Sequence, residues 1–235
     1  MKNCYKVAIT AAIVGFGLGT LNVAQAATVS LSSSNQGWWS TGLKNSYDND
    51  NYITGNYSDK GFHSFFTFDL SPLTRVSTAT LQVQRFNGSG NPTKTLGFFD
   101  VSTSADVLSQ NVNILDINIY NDLGSGKNYG TFNVTTSPNN YEIQQKEILS
   151  FVLNSDAIAD INARSGKFFS IGAALLGNFG IGDQYLFGAS VNSSARLVVD
   201  GDLATVPEPG TLGGAVLATI TGLWLKRKRK AFQAV

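Results

Sequence analysis

The fold is decided by the stretch from Thr78 to Arg85, which reads TATLQVQR. Ala79, Leu81 and Val83 alternate along it with polar residues. Successive side chains of a β-strand point to opposite faces of the sheet, so this alternation gives one dry face and one wet face. The stretch therefore predicts a half-buried strand.

Eight further stretches are rich in β-branched and aromatic residues and predict strands. They are 65–70, 95–101, 113–120, 129–135, 147–153, 168–173, 185–190 and 195–199. Turn-forming residues separate them at 87–92, 124–126, 137–140 and Asp200-Gly201. Short strands at this spacing predict an all-β fold, an antiparallel β-sandwich or jelly-roll-like domain.

One short helix is expected to interrupt the strands. Ser155 is placed to cap its start, and Asp156 complements the positive end of the helix. Ala157, Ile158 and Ile161 form one apolar face, and Gly166 follows the last turn. We expect this helix to close one open end of the sandwich.

The composition excludes several classes of protein. Of 235 residues, 43% are hydrophobic and 14% are charged, with one His and one Cys. A disordered chain, a disulfide scaffold and a basic nucleic-acid binder each need another composition, so no nucleic-acid partner is expected. The net charge of +1 hides a segregation, because residues 27–206 hold ten basic and fifteen acidic side chains, a net charge of −5.

The first 26 residues have the pattern of a secretory signal peptide. Lys2 and Lys6 form a positive start, residues 7–21 are uncharged and apolar, and Ala24 and Ala26 offer small side chains to signal peptidase. Cleavage is expected after Ala26. A retained anchor or a buried helix is the alternative. Cleavage would remove the single cysteine, Cys4, and would leave a chain without disulfides or thiol chemistry.

The other end combines three features. Pro207-Glu208-Pro209 is a rigid, extended element that is followed by residues 210–225, which carry no charge. A helix of that length rises about 24 Å, somewhat less than the hydrocarbon core of about 30 Å. A basic cluster then stops transfer through the inner membrane and stays cytoplasmic. It consists of Lys226, Arg227, Lys228, Arg229 and Lys230.

This order of motif, apolar helix and basic cluster resembles the PEP-CTERM sorting signal of Gram-negative bacteria and cyanobacteria. The resemblance implies handling by an exosortase, a membrane transpeptidase-like protease with a cysteine nucleophile, which cuts at or near the motif. A plain tail anchor is the alternative. Segments 68–70, 121–126 and 157–163 are similar to uncharacterised extracellular β-sandwich proteins with the same tail, and that similarity implies no defined activity.

Together these features predict three parts, a signal peptide (1–26), an extracellular β-sandwich domain (27–206) and a PEP-CTERM sorting signal (207–235). The protein is expected to be exported, held transiently in the inner membrane, and then found at the cell surface or in the extracellular matrix. We expect a non-catalytic structural or adhesive role beside exopolysaccharide in a biofilm. A carbohydrate-binding module or a secreted polysaccharide-acting enzyme is the alternative.

Catalytic patterns are weak, and no enzymatic activity is expected. His63 is the single histidine, and the Gly-x-Ser-x-Gly pattern of a serine hydrolase is absent. The glycine-rich segment 124–127 lacks the first glycine and the Ser/Thr of a phosphate loop, so it is interpreted as a turn. A glycoside-acting hydrolase would need two carboxylates beside a cleft, and no spacing singles out such a pair.

Two weaker patterns point to ligands. Asp48, Asp50 and Asp59 concentrate carboxylate oxygens, as Ca²⁺ requires, although a solvated turn would look the same. Trp38, Trp39, Tyr47, Tyr52 and Tyr57 lie in a stretch rich in Gly, Asn and Ser. Exposed rings of this kind would stack on a sugar, whereas buried ones would only close the core. Both alternatives stay open at this point.

Overall fold

The computed structural model describes residues 26–42, 51–110, 115–136, 147–177, 181–188 and 195–203. Within these ranges the chain forms twelve strands and three short helices. The strands are β1 (Ala26–Ser32), β2 (Asn35–Ser40), β3 (Thr54–Tyr57), β4 (Lys60–Asp69), β5 (Leu73–Gln84), β6 (Asn87–Ser89), β7 (Thr93–Asp100), β8 (Asn128–Thr135), β9 (Ile148–Val152), β10 (Phe168–Leu176), β11 (Gln184–Gly188) and β12 (Arg196–Leu203). The helices are α1 (Ala105–Leu108), α2 (Ile117–Asp122) and α3 (Ser155–Ala163).

The strands form two antiparallel sheets, which confirms the all-β class. The smaller sheet has the order β1-β12-β5-β9. The larger has the order β6-β11-β3-β4-β10-β7-β8, and β2 pairs with β4. Because Phe62 pairs with both Ser40 and Gly55, β2 and β3 lie on opposite edges of β4.

The two sheets share one main core. The predicted alternation in β5 is confirmed, because Ala79, Leu81 and Val83 are fully buried. Phe66 and Phe98 of the larger sheet belong to the same cluster of buried residues. Each sheet thus removes one face from water against the other, which is the main source of its stability.

A second, smaller core lies where α1 and α2 cover the larger sheet. Trp39, Phe65, Leu108, Ile119 and Leu123 form it. The expected strand over 113–120 is wrong in its second half, where α2 begins at Ile117. Asp116 caps this helix by accepting a hydrogen bond from the Asn118 backbone N–H. The helical turn brings Ile119 and Leu123 to one side, so both reach the second core.

The expected helix after β9 is present as α3, with a different cap. Asn154 accepts hydrogen bonds from the backbone N–H groups of Asp156 and Ala157, so it caps the helix in place of Ser155. Ala157 and Ile161 are buried in the main core, and α3 packs against β5 and β8, one strand from each sheet. Ile158 is only partly buried.

The predicted turn over 87–92 is wrong in its first half, and the predicted turn at Asp200-Gly201 is wrong. Asn87–Ser89 forms β6, and Asp200-Gly201 lies inside β12, where the register with β5 shifts by one residue. The bulge accommodates the turn-forming residues without ending the strand. Strands β1, β2 and β3 lie outside the predicted strands, and in β2 and β3 polar residues and glycines weaken the strand pattern.

Among the helices that the structure describes, none has the length and hydropathy of a membrane-spanning segment. Residues 1–25 and 204–235, which carry most of the predicted signal peptide and all of the predicted sorting signal, lie outside the described residues. Strand β1 begins at Ala26, next to the predicted cleavage position.

Candidate binding surface

The outer face of the smaller sheet is the candidate binding surface, and we call it the open face. In β5 it carries the residues that alternate with the buried Ala79, Leu81 and Val83. Of the three described helices, α1 contacts β10, α2 contacts β2, and α3 contacts β8 and β5 with its Ala157 and Ile161 buried in the main core. The open face consists of Thr28, Ser30, Ser32, Arg75, Thr78, Thr80, Gln82, Gln84, Ile148, Ser150, Val152, Arg196, Val198, Asp200 and Asp202.

Strand register arranges these residues in cross-strand rows. The row that we call the Arg196 row runs through Ser32, Arg196, Gln82 and Ser150. The next row holds Ser30, Val198, Thr80 and Val152, and the third holds Thr28, Asp200 and Thr78. Neighbouring strands lie about 4.8 Å apart, so each row places side chains at regular intervals across the sheet.

The third row is satisfied internally. Thr28 Oγ1 donates to Asp200 Oδ1 at 2.6 Å, and Thr78 Oγ1 donates to Asp200 Oδ2 at 2.8 Å. These hydrogen bonds hold the pKa of the Asp200 carboxyl below its usual value. The carboxylate therefore stays charged, with both oxygens engaged within the protein.

The Arg196 row is different, because its polar groups face solvent. Within the part of the chain that the structure describes, the side chains of Arg196, Gln82, Ser32 and Ser150 have no hydrogen-bonding partner. Arg196, Gln82, Gln84 and Ile148 line a groove of about 320 Å³. Pockets that hold small ligands have volumes of about 300–1,000 Å³.

The neighbouring arginine is already engaged. Arg85 Nε donates to Glu147 Oε2 at 2.6 Å, and its NH1 donates to the Thr135 carbonyl oxygen. Its charge is thus balanced within the protein. Among the described residues that line this groove, Arg196 is the one cation, and it has no ion-pair partner.

Two of the aromatic residues predicted to bind a sugar are buried. Trp39 and Tyr52 each expose 1% of their surface. Trp39 belongs to the second core, and Tyr52 packs edge-on against Phe66 and Phe187 in the main core. For these two rings the alternative that they close the core is confirmed, and the prediction of a sugar contact is wrong, because each ring packs in an apolar cluster.

The other predicted rings differ in their environment. Trp38 is partly buried, packs edge-on against Phe62, and donates from Nε1 to Asn51 Oδ1 at 3.0 Å. Tyr57 is 46% exposed at the end of β3 and pairs edge-on with Tyr185, with ring centroids 5.3 Å apart. Tyr185 was not predicted as a ligand contact, although it follows a glycine-rich loop. Tyr47 lies outside the described residues.

The predicted calcium ligands are only partly described. Asp48 and Asp50 lie outside the described residues. Asp59 is exposed in the two-residue turn between β3 and β4, with φ of 60°. In the described ranges no group of three or more His, Cys, Asp or Glu side chains could hold a metal ion. The calcium site therefore stays a prediction.

The single histidine is enclosed. His63 Nδ1 lies 2.7 Å from the Tyr120 carbonyl oxygen, and its ring stacks on the Tyr120 ring. Burial lowers the pKa of His63 to about 4, although the hydrogen bond with Tyr120 acts in the opposite direction. A Cβ atom on Gly124 would lie 2.1 Å from the His63 ring, so the turn fits closely over the imidazole.

Three aspartates lie in segments 68–70, 121–126 and 157–163, and each one holds local structure. Asp69 accepts a hydrogen bond from the Ser71 backbone N–H. Asp122 accepts hydrogen bonds from the backbone and hydroxyl groups of Ser102 and Thr103. Burial raises the pKa of Asp122, but these bonds outweigh it and the net pKa is lowered.

Asp160 in α3 forms a network with β8. Lys127 Nζ donates to both of its carboxylate oxygens at 2.8 Å, and the Tyr129 hydroxyl donates at 2.9 Å. Burial and the Asp160 carboxylate raise the pKa of Tyr129 well above its usual value. The network therefore joins the helix to the larger sheet with the phenol kept neutral.

The sequence matches no protein-family model and no curated protein. The class that the structure defines is an all-β protein with two antiparallel sheets. Its candidate site is a sheet face whose Arg196 row has no hydrogen-bonding partner among the described residues.

Proposed function

We propose that this chain is an exported envelope or extracellular-matrix protein whose β-sandwich domain has a structural or adhesive, non-catalytic role beside exopolysaccharide. The observation that carries the proposal is the open face, where the side chains of the Arg196 row are free to bond with another molecule. A polysaccharide offers many hydroxyl groups along an extended chain, and such a row complements it with donors and acceptors at strand spacing.

The proposed route to the matrix rests on the ends of the sequence. Signal peptidase removes residues 1–26, and the tail of residues 210–235 holds the chain in the inner membrane by its apolar segment and basic cluster. An exosortase then acts at Pro207-Glu208-Pro209. The extended, proline-bounded motif is well suited to entering a protease cleft, because it cannot continue a helix.

Intact-mass analysis of the exported protein tests this route. We expect a chain that begins at Ala27 and lacks residues 210–235. Glu208→Gln should accumulate the longer precursor in membranes, whereas Asp106→Asn, an exposed acid in α1, should be processed normally. An exported product that retains residues 210–235 would contradict the sorting proposal.

Co-fractionation tests the proposed role. We expect the exported protein to remain with the exopolysaccharide when cells are washed, and to be released when the polymer is degraded enzymatically. If it stays with the cells after the polymer has been removed, the association with exopolysaccharide is wrong.

A carbohydrate-binding module that stacks sugars on aromatic rings is the second candidate. The contact between the exposed Tyr57 and the partly buried Tyr185 favours it, because aromatic faces beside polar groups bind the apolar face of a sugar ring. Asp183 lies beside this pair and accepts a hydrogen bond from the Ser58 backbone N–H at 2.8 Å. A glycan array with Tyr57→Ala separates this candidate from binding at the open face.

A further inference from the structure

We infer that the Arg196 row is a binding site for a carboxylated polysaccharide, in which the Arg196 guanidinium pairs with a uronate-type carboxylate. The inference rests on the proposed association with exopolysaccharide and specifies its chemistry.

Arg196 has no ion-pair partner among the described residues. The other arginine beside the groove, Arg85, is engaged by Glu147 and by the Thr135 carbonyl group. Arg196 is exposed and has no such partner within the described residues. A guanidinium presents a planar fork of donors that fits a carboxylate through two parallel hydrogen bonds. An unpaired guanidinium at a groove therefore complements an anionic ligand.

The charge close to Arg196 favours this anion although the domain as a whole is acidic. The open face carries two carboxylates, Asp200 and Asp202, which lie four and six residues along β12 from Arg196. Those separations correspond to about 13 Å and about 20 Å of strand, so neither carboxylate forms an ion pair with Arg196.

Arg196 has three polar neighbours in the same row. Ser32 precedes Arg196 across the sheet, and Gln82 and Ser150 follow it. At about 4.8 Å between strands, the four side chains extend across roughly 14 Å of sheet. Two hydroxyl groups and one amide, each able to donate and accept, suit the hydroxyl groups of a sugar chain that crosses the strands.

The edge strand β9 carries two exposed aliphatic side chains. Ile148 is 52% exposed and Val152 is 68% exposed, and both point outward beside Ser150. Sugar rings have apolar C–H faces, and aliphatic groups next to hydrogen-bonding groups would contact them. A nucleic acid would instead need several cations to neutralise its phosphates, and the open face offers two, Arg75 and Arg196, in separate rows.

Affinity electrophoresis of the exported protein in gels containing polygalacturonate tests the site. We expect Arg196→Gln to weaken binding about ten-fold or more, the range for loss of one charge-assisted contact. Arg196→Lys should retain part of the affinity, because it keeps the charge and loses the fork. The matched control is Arg75→Gln, an exposed arginine near the other end of the smaller sheet, which should bind like the wild type.

Polymers with altered charge identify what is recognised. Carboxyl-reduced polygalacturonate and neutral dextran should bind no better than the Arg196→Gln variant binds the acidic polymer. Dextran sulfate separates carboxylate recognition from general attraction to anions. If Arg75→Gln and Arg196→Gln lose affinity equally for polygalacturonate and for dextran sulfate, the attraction is nonspecific and the Arg196 site is wrong.

Failure of the site and failure of the proposed function give different results. If the wild type and Arg196→Gln bind the acidic polymer equally, or if the wild type prefers neutral polymers, the Arg196 site is wrong while polysaccharide association survives. If the wild type binds none of these polymers and does not co-fractionate with native exopolysaccharide, both proposals are wrong. Circular dichroism of each variant confirms that the fold is intact.

Discussion

The imidazole ring of His63 lies flat against the phenol ring of Tyr120, with centroids 3.9 Å apart and an interplanar angle of 8°. His63 extends from β4 and Tyr120 from α2, so the contact joins the larger sheet to the helix that covers it. The Tyr120 carbonyl oxygen receives the second contact, from Nδ1 at 2.7 Å. The neutral imidazole with its proton on Nδ1 makes this hydrogen bond without a buried charge.

This relationship predicts a loss of stability in mild acid. The pKa of His63 falls from 6.5 to about 4 on folding, so between these values the unfolded chain binds a proton that the folded chain does not. The free energy of unfolding therefore falls as the pH falls, by about 1.4 kcal/mol per pH unit and by about 3 kcal/mol across the window. Urea denaturation at pH 7 and pH 4.5 measures it.

His63→Gln is the control for this prediction, because it removes the titrating group. The lowered pKa values of Asp122 and Asp160 act in the same direction in both proteins, so the difference between them isolates the histidine. Equal pH dependence of the wild type and His63→Gln would show that the imidazole does not titrate in the expected range.

The hydrogen bonds of the Asn162 side chain should contribute to the free energy of unfolding. The side chain accepts from the Val76 N–H at 2.7 Å and donates to the Val76 carbonyl oxygen at 2.9 Å, where β5 passes α3. Asn162→Ala leaves both backbone groups without this partner and should cost about 1–3 kcal/mol in urea denaturation. Asn118→Ala, at an exposed position of α2, should change stability by about 0.5 kcal/mol or less. Similar losses in the two variants would rule out this role.

Gly172 predicts a steric effect in the middle of β10. A Cβ atom there would lie 2.3 Å from the Leu123 carbonyl oxygen, because the turn after α2 rests directly on the strand. Gly172→Ala should therefore destabilise the protein by about 3 kcal/mol. Gly42→Ala would meet only the flexible Lys60 side chain and should be nearly neutral. Thermal denaturation compares the two, and a silent Gly172→Ala would contradict the close approach.

The aromatic residues predict a contrast between core and surface. Trp39→Ala removes a buried ring from the second core and should cost about 3–5 kcal/mol. Tyr57→Ala removes an exposed ring whose edge contact with Tyr185 is worth about 1 kcal/mol. Chemical denaturation should therefore separate the variants widely. Equal losses would mean that Tyr57 supports the fold as strongly as Trp39 does.

Strands with a strong local signal could be predicted, and those with a weak one could not. The alternation in β5 predicts directly which face of the strand is buried and which is exposed. Most of the stretches rich in β-branched and aromatic residues are strands as expected. β2 reads NQGWWS and has little strand signal of its own. It forms because β4 provides a complete partner edge from Phe62 to Thr67, a long-range contact that local sequence does not encode.

Around α2 the local sequence predicts a strand where the structure has a helix. Ile117 and Ile119 alternate with the polar Asn118 as in a strand, yet the segment is helical. The Asp116 cap and the burial of Ile119 and Leu123 together favour the helix, because helical spacing brings both apolar groups to the second core. Tertiary packing decides such short segments, whose own propensity is small.

The candidate site divides in the same way. The sequence by itself determined the all-β class, the polar face of β5 and the position of the expected helix, because these depend on periodicity and capping within a few residues. Only the tertiary structure decided that Trp39 and Tyr52 are buried, and that Ser32, Arg196, Gln82 and Ser150 share one row. The physical reason is that strand register joins residues far apart in the chain, and register is set by the packing of the two sheets.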